Sequence, residues 1–186
     1  MKRLFDIIIS ITFILLLLVP VIIIGFAIKM TSNGPVIYWS DRMGRNNTIF
    51  KMPKFRTMKY DTPVVATHLL KEPQKFLSPI GGFLRKYSLD EIPQFYSIIG
   101  GDMSLVGPRP ALYNQYDLIK LREDRELSNL TPGLTGWAQI NGRDDLSILL
   151  KVELDEEYMK KKSFFFDLKI LLLTFWKVTY KSGVKH

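Results

Sequence analysis

The sequence predicts a mainly helical α+β fold with an N-terminal membrane segment, and three observations predict it. Residues 7–28 contain no charged side chain. Two short runs of β-forming residues flank a Gly-Arg-Asn-Asn turn at residues 44–47. Apolar residues then recur at helical spacing over residues 80–99, 113–126 and 146–158. With 186 residues, 47% of them apolar and 24% charged, the chain suits one domain with a real core. That composition excludes collagen, long disorder and two enzymes in tandem. The absence of cysteine excludes thiol nucleophiles, thiolate metal sites and disulfides. The 26 Lys and Arg against 18 Asp and Glu give +8, which implies a polyanionic partner: nucleic acid, anionic lipid or a phosphorylated small molecule.

The first element is membrane-length apolar sequence, since about 20 helical residues cross a hydrocarbon core. A cleaved signal peptide fits less well, because the run is too long and ends at Ile28-Lys29-Met30 without a small-residue cleavage pattern. Pro20 sits near its middle, and basic residues lie on both sides: Lys2 and Arg3 before, Lys29, Arg42 and Arg45 after. Two readings stand. One is a helix that enters one leaflet, breaks at Val19-Pro20 and returns to the same face, and the other is a kinked spanning helix.

Residues 31–35 read as a turn, and residues 36–40 and 48–51 as the strands of a short hairpin. Residues 61–78, with three prolines at or beside them, read as an irregular, variable surface with a short helix. His68 within it has no partner motif and is read as structural. Residues 163–180 combine Phe164, Phe165, Phe166, Trp176 and many aliphatics with Lys169 and Lys177. This suits an interfacial helix with snorkelling lysines, or else a core helix.

The chemistry belongs where charges crowd among glycines and prolines. Lys54 and Arg56 lie two apart, so in an extended segment they face one side and suit a diphosphate. In Ser88-Leu-Asp-Glu-Ile-Pro-Gln94, Ser88 and Glu91 have the spacing of a capping box, which would account for the acids structurally. The functional alternative gives adjacent carboxylates different tasks, Asp90 attacking a phosphorus and Glu91 holding a metal ion, with Arg85, Lys86, Lys54 and Arg56 neutralising phosphate oxygens. Arg109 stands between Pro108 and Pro110, which stiffen its loop and prepare its guanidinium for phosphate. Residues 131–143 add three glycines with Trp137, Gln139 and Arg143, a density of loop residues common in ligand sites.

Taken together, the runs at 54–58, 88–94, 101–110 and 132–143, in this order after a Pro-broken membrane segment, resemble the bacterial sugar transferase family, the small monotopic polyprenyl-phosphate phosphoglycosyl transferases. The likeness extends through residues 167–170, and four long motifs in sequence are specific. It implies transfer of sugar 1-phosphate from a UDP-sugar to undecaprenyl phosphate with release of UMP, the first membrane step of capsule, O-antigen or glycoprotein glycan assembly. It implies further that Asp90 forms a phosphosugar-aspartyl intermediate, that Glu91 holds Mg²⁺, that Arg85 binds a lipid or substrate phosphate, and that Arg109 binds the nucleotide. Lys54, Arg56, Gln139 and Arg143 complete the expected substrate-binding set.

The resemblance also selects the re-entrant form of the first segment. The expected organisation is a helix-break-helix over residues 1–30 with the break at Pro20. A catalytic domain over residues 31–186, including the interfacial helix at about 163–180, follows it on the cytoplasmic face of the bacterial inner membrane. The chain resembles the minimal form of the family, which is expected to lack the extra membrane helices and sensor-like domain of larger members. Where members often place Ser before the proline, this chain has Val19. Runs at 65–69 and 110–115 are similar to those of capsule-pathway members acting on N-acetylated, often 6-deoxy, sugars. Expected partners are the UDP-sugar, undecaprenyl phosphate and membrane lipids, with downstream glycosyltransferases and a second copy of the chain compatible with the pattern. Nucleic acid is not expected, because the basic residues are interleaved with acids and no recognition motif occurs. A scaffold in which the acids only cap a helix, and a nucleotide-sugar hydrolase, are the competing readings.

Overall fold

The computed structural model describes residues 1–59, 62–63, 72–142 and 145–179. Arg143, His68 and the run at 65–69 lie outside the described residues. The chain opens with α1 (Lys2–Leu16) and α2 (Leu18–Thr31), set at a bend of 62°. The break falls at Leu17, not at Val19-Pro20 as the sequence suggested. The reason is geometric: a proline ring opposes the carbonyl of the residue four before it, so Pro20 disrupts the ladder at Leu16 and itself occupies the first turn of α2, where its missing N–H costs nothing.

Along α1 the usual polarity of a helix is inverted. Asp6 and Ser10, four apart, face inward and are buried, while Leu4, Ile8, Ile11, Leu15 and Leu16 point outward. Asp6 accepts a 2.8 Å hydrogen bond from Ser104, so the charge that precedes the apolar run serves the interior. Among the described residues no single helix is long and apolar enough to cross a membrane, and one bent pair, α1 with α2, has that character by length and composition.

The antiparallel hairpin β1 (Ile37–Met43) and β2 (Ile49–Phe55) runs longer than expected, in register from Ile37 opposite Phe55 to Met43 opposite Ile49. Its turn places Asn46 and Asn47 at φ of 55° and 57°, a conformation asparagine tolerates better than most residues. The predicted helix at 80–99 is a broken series: α3 (Gly81–Lys86), a 3₁₀ turn Leu89–Gln94 and α4 (Phe95–Gly100). Pro93 inside the series accounts for the tighter 3₁₀ winding.

A parallel pair that the sequence reading missed, β3 (Ser104–Val106) and β4 (Gly133–Thr135), holds the centre. Its strands are three residues each, too short for an alternation to be visible. Between them lies α5 (Tyr116–Asp124), and α6 (Trp137–Ile140), α7 (Ile148–Lys161) and α8 (Phe164–Thr179) complete the chain. The core joins Met52 and Phe55 of β2, Leu84, Ile92, Ile98, Val106, Val152, Tyr158 and Ile170. α8 is neither a core helix nor an ordinary surface one: Asp167 and Ile170 are buried, whereas Phe165, Leu172, Phe175 and Trp176 are exposed.

Candidate active site

The acidic pair sits on the 3₁₀ turn Leu89–Gln94, packed against β2. Ser88 takes a left-handed conformation (φ 55°) and makes no side-chain cap, so the capping box does not form. This correction matters because it releases Glu91 for other partners. Its Oε1 accepts from Lys54 Nζ at 3.4 Å and from Arg109 at 2.9 Å, and both Asp90 and Glu91 are buried. Two carboxylates side by side in the interior are costly unless cations answer them.

Burial, with Glu91 beside it, pushes the Asp90 carboxyl above the ordinary carboxylate range, while Lys54, Arg85 and Arg109 pull it back. For Lys54, burial outweighs the attraction of Glu91 and Asp90, and Arg109 and Arg42 add like charge, so its ammonium is lowered to about 8. A diphosphate entering this cluster would meet cations already gathered around one wall, the arrangement phosphoryl transfer requires.

Arg109 is held through its neighbours' backbone. The carbonyl of Pro108 accepts from the Gly133 amide of β4 at 2.8 Å, that of Arg109 from Arg122 of α5 at 3.0 Å, and that of Pro110 from Arg42 of β1 at 3.2 Å. The Ala111 carbonyl continues the series with the Met43 amide at 2.9 Å. Four successive carbonyls are thus gripped from three elements, and the two prolines add no donors to compete. Arg122 is fixed in turn by Asp155 of α7, through Nε at 3.0 Å and its terminal nitrogen at 2.7 Å.

Close backbone packing underlies the loop. A Cβ on Gly107 would collide with the Thr131 carbonyl, and one on Gly133 with the Gly107 amide, so the crossing of the two segments excludes side chains at both.

Of the residues expected from sequence, Asp90, Glu91, Lys54 and Arg109 converge, and Arg85 joins them electrostatically while its Nε donates to Thr57 at 2.9 Å. Arg56 does not meet the carboxylates beside Lys54. It turns to the end of α2 and donates to the Ser32 carbonyl at 3.0 Å and hydroxyl at 2.8 Å. Gln139, on α6, has its side-chain amide buried without a hydrogen-bond partner. Arg143 is outside the described residues. Sequence reasoning missed Arg42, Arg122 and Asp155, because their roles arise from partners 68, 13 and 33 residues away. Among the described residues no three His, Asp or Glu side chains converge as a metal cage.

Fold and site define a protein with a bent apolar helix pair and, beside it, a cation-ringed pair of buried carboxylates. Comparison with known proteins gives the family. The sequence model described as "Bacterial sugar transferase" matches residues 1–181, and the chain belongs to that family. It is 42% identical over 187 residues to the UDP-glucose:undecaprenyl-phosphate glucose-1-phosphate transferase of Escherichia coli (strain K12), covering 95% of this chain and 40% of that protein. It is 39% identical to the galactosyl transferase CpsE of Streptococcus agalactiae serotype III (strain NEM316), over 82% of this chain and 36% of that one. With the uncharacterized sugar transferase EpsL of Bacillus subtilis (strain 168) it shares 38% identity over the whole chain and 91% of the relative. The chain therefore spans well under half the length of two of these relatives and nearly all of the third.

Proposed function

We propose that this chain is a phosphoglycosyl transferase that moves sugar 1-phosphate from a UDP-sugar to undecaprenyl phosphate and releases UMP. The observation that carries the reading is the buried Asp90-Glu91 pair with Lys54 and Arg109 meeting on Glu91. An oxygen of the Asp90 carboxylate attacks the sugar-bearing phosphorus. The bond from that phosphorus to the bridging oxygen breaks, and UMP leaves with the electron pair. An oxygen of undecaprenyl phosphate then attacks the same phosphorus, forming the lipid diphosphate and freeing the Asp90 carboxylate. Arg109 and Lys54 neutralise phosphate oxygens in both steps, and Arg85 approaches from α3 to receive the lipid phosphate.

Mg²⁺ is commonly bound by one or two carboxylates, with substrate phosphates and water completing its shell. Glu91 would be the residue to hold such an ion here. The ion would withdraw charge from the phosphate oxygens.

A re-entrant, cytoplasm-facing placement is part of the proposal, and the anchoring of both ends of the bent pair to one body supports its re-entrant form. At the start of α1, Lys2 donates to the Val106 carbonyl at 3.0 Å, and Arg3 to the carbonyls of Ile98 and Ile99. At the end of α2, Ser32 is held by Arg56. The outward apolar side chains of α1, α2 and α8 then lie in lipid, which sets the carboxylates near headgroup depth where a soluble donor and a lipid phosphate meet. We propose an N-acetylated sugar on the donor, from the likeness of residues 110–115 to capsule-pathway members. Two relatives are named for glucose and galactose transfer, so the test must span both kinds.

UMP release by nanodisc-held protein with Mg²⁺ across a panel of UDP-sugars, with and without undecaprenyl phosphate, tests the reading. Lipid-dependent release with one donor, abolished in Asp90→Asn, is expected. UMP formed equally well without lipid over many turnovers would instead make the protein a hydrolase.

A further inference from the structure

A groove of about 280 Å³ lies between the elbow of the α1–α2 pair, the hairpin and the catalytic turn. Its walls are shared with the active site residue by residue. On β2, Lys54 reaches Glu91 while its neighbours Pro53 and Phe55 line the groove, as alternation along a strand requires. On the 3₁₀ turn, Asp90 and Glu91 serve the site and the next two residues, Ile92 and Pro93, line the groove. Leu18 closes it from the elbow, and Trp39 and Tyr96, edge to face at 6.3 Å, stand together on its wall. Among the described residues no charged side chain contributes to it.

We propose that this groove binds the isoprenoid segment nearest the phosphate of the polyprenyl acceptor, a proposal that rests on the transferase reading above. Continuity chooses the occupant. In a prenyl phosphate, hydrocarbon begins at the first carbon after the phosphate oxygen, so an apolar wall must start one residue from the groups that handle the phosphate. Pro53 and Phe55 do so on either side of Lys54, and Ile92 follows the acidic pair. A phospholipid places a polar glycerol ester region between phosphate and acyl chain, and the lining residues next to Lys54 and the acidic pair, Pro53, Phe55, Ile92 and Pro93, offer its ester oxygens no side-chain donor. Branched methyl groups of isoprene units also pack well on aromatic rings such as those of Trp39 and Tyr96.

The test is photo-cross-linking in nanodiscs with a polyprenyl phosphate carrying a diazirine in the isoprene units next to the phosphate. Cross-links on Leu18, Trp39 or Tyr96, displaced by undecaprenyl phosphate and not by phosphatidic acid, are expected. In parallel, Leu18→Trp, which fills the groove from a half-exposed position, is expected to raise KM for undecaprenyl phosphate about tenfold while leaving KM for the UDP-sugar unchanged. Cross-links confined to the outward faces of α1 or α8, or equal displacement by phosphatidic acid, would overturn the proposal. An unchanged lipid KM in Leu18→Trp would also count against it. Lipid-dependent UMP release by the same preparation separates the two failures. If release persists while the cross-links map elsewhere, the groove assignment alone falls, and if release never depends on lipid, the transferase reading falls and takes the groove assignment with it.

Discussion

Arg122 donates to the backbone carbonyl of Arg109 at 3.0 Å while two of its other nitrogens hold the buried carboxylate of Asp155. Helix α7 is thereby linked through α5 to the loop that presents a guanidinium to Glu91. Removing Asp155 would strand a largely buried guanidinium. Asp155→Ala should therefore cost about 3–5 kcal/mol of stability, measurable by denaturant unfolding. Arg122→Lys keeps the charge but loses the planar fork. It should raise KM for the UDP-sugar while the protein stays folded, and normal donor KM would show that the brace is dispensable.

The acid–base groups of the site predict a bell-shaped pH–activity profile. Asp90 must be ionised to attack, and its carboxyl is pushed up by burial and Glu91, so the acid limb should lie above the usual carboxylate range. Lys54 must be protonated to neutralise phosphate, and its cation is lost as pH rises through about 8. Lys54→Arg should remove the alkaline limb, because a guanidinium stays charged throughout. An alkaline limb near 8 that survives this substitution would belong to another group.

Gly107 offers a packing test independent of charge. Because a Cβ there meets the Thr131 carbonyl and the backbone around Gly133, Gly107→Ala should force β3 and β4 apart and displace the Pro108-Arg109-Pro110 loop. Destabilisation of about 1–3 kcal/mol and a marked loss of turnover are expected. Thermal unfolding and donor KM, measured on the same preparation, check both.

Topology is open to cysteine labelling, since these 186 residues contain none. A cysteine placed ahead of Met1 and another from Asn33→Cys should both react from the cytoplasmic side only. Pro20→Ala restores the missing donor and removes the ring that breaks the ladder at Leu16. It should shift part of the population to periplasmic reactivity at position 33. Periplasmic labelling of the unsubstituted helix pair would contradict the re-entrant placement.

Much of the fold was legible where one residue carries the information. Pro20 announced the bend, although its effect falls three residues earlier than the residue itself, because a proline acts on the preceding turn. The hairpin was visible from two β-forming runs around a turn and the last helix from its apolar and aromatic composition, whereas β3 and β4 were not, since three-residue strands have no pattern to read. In the site, Asp90, Glu91, Lys54 and Arg109 stood out because charge among prolines and glycines is unusual. Ser88 misled, since its spacing to Glu91 fits a capping box, while Pro93 and the left-handed Ser88 make a 3₁₀ turn instead. Arg56 misled for a different reason: its guanidinium is taken up by Ser32 at the end of α2, a partner that only the folding of α2 beside the hairpin supplies. The Arg122–Asp155 brace could not be read locally, because only the packing of α5 on α7 brings its two halves together.

The central claim is that Asp90 carries the sugar phosphate between the two substrates. Intact-mass and peptide mapping of the protein incubated with its UDP-sugar and Mg²⁺, in the absence of lipid, addresses it directly. The account predicts a mass increase of one sugar phosphate located on Asp90, discharged when undecaprenyl phosphate is added and missing in Asp90→Asn. Lipid-dependent turnover with no adduct at any time, and with turnover retained in Asp90→Asn, would contradict it.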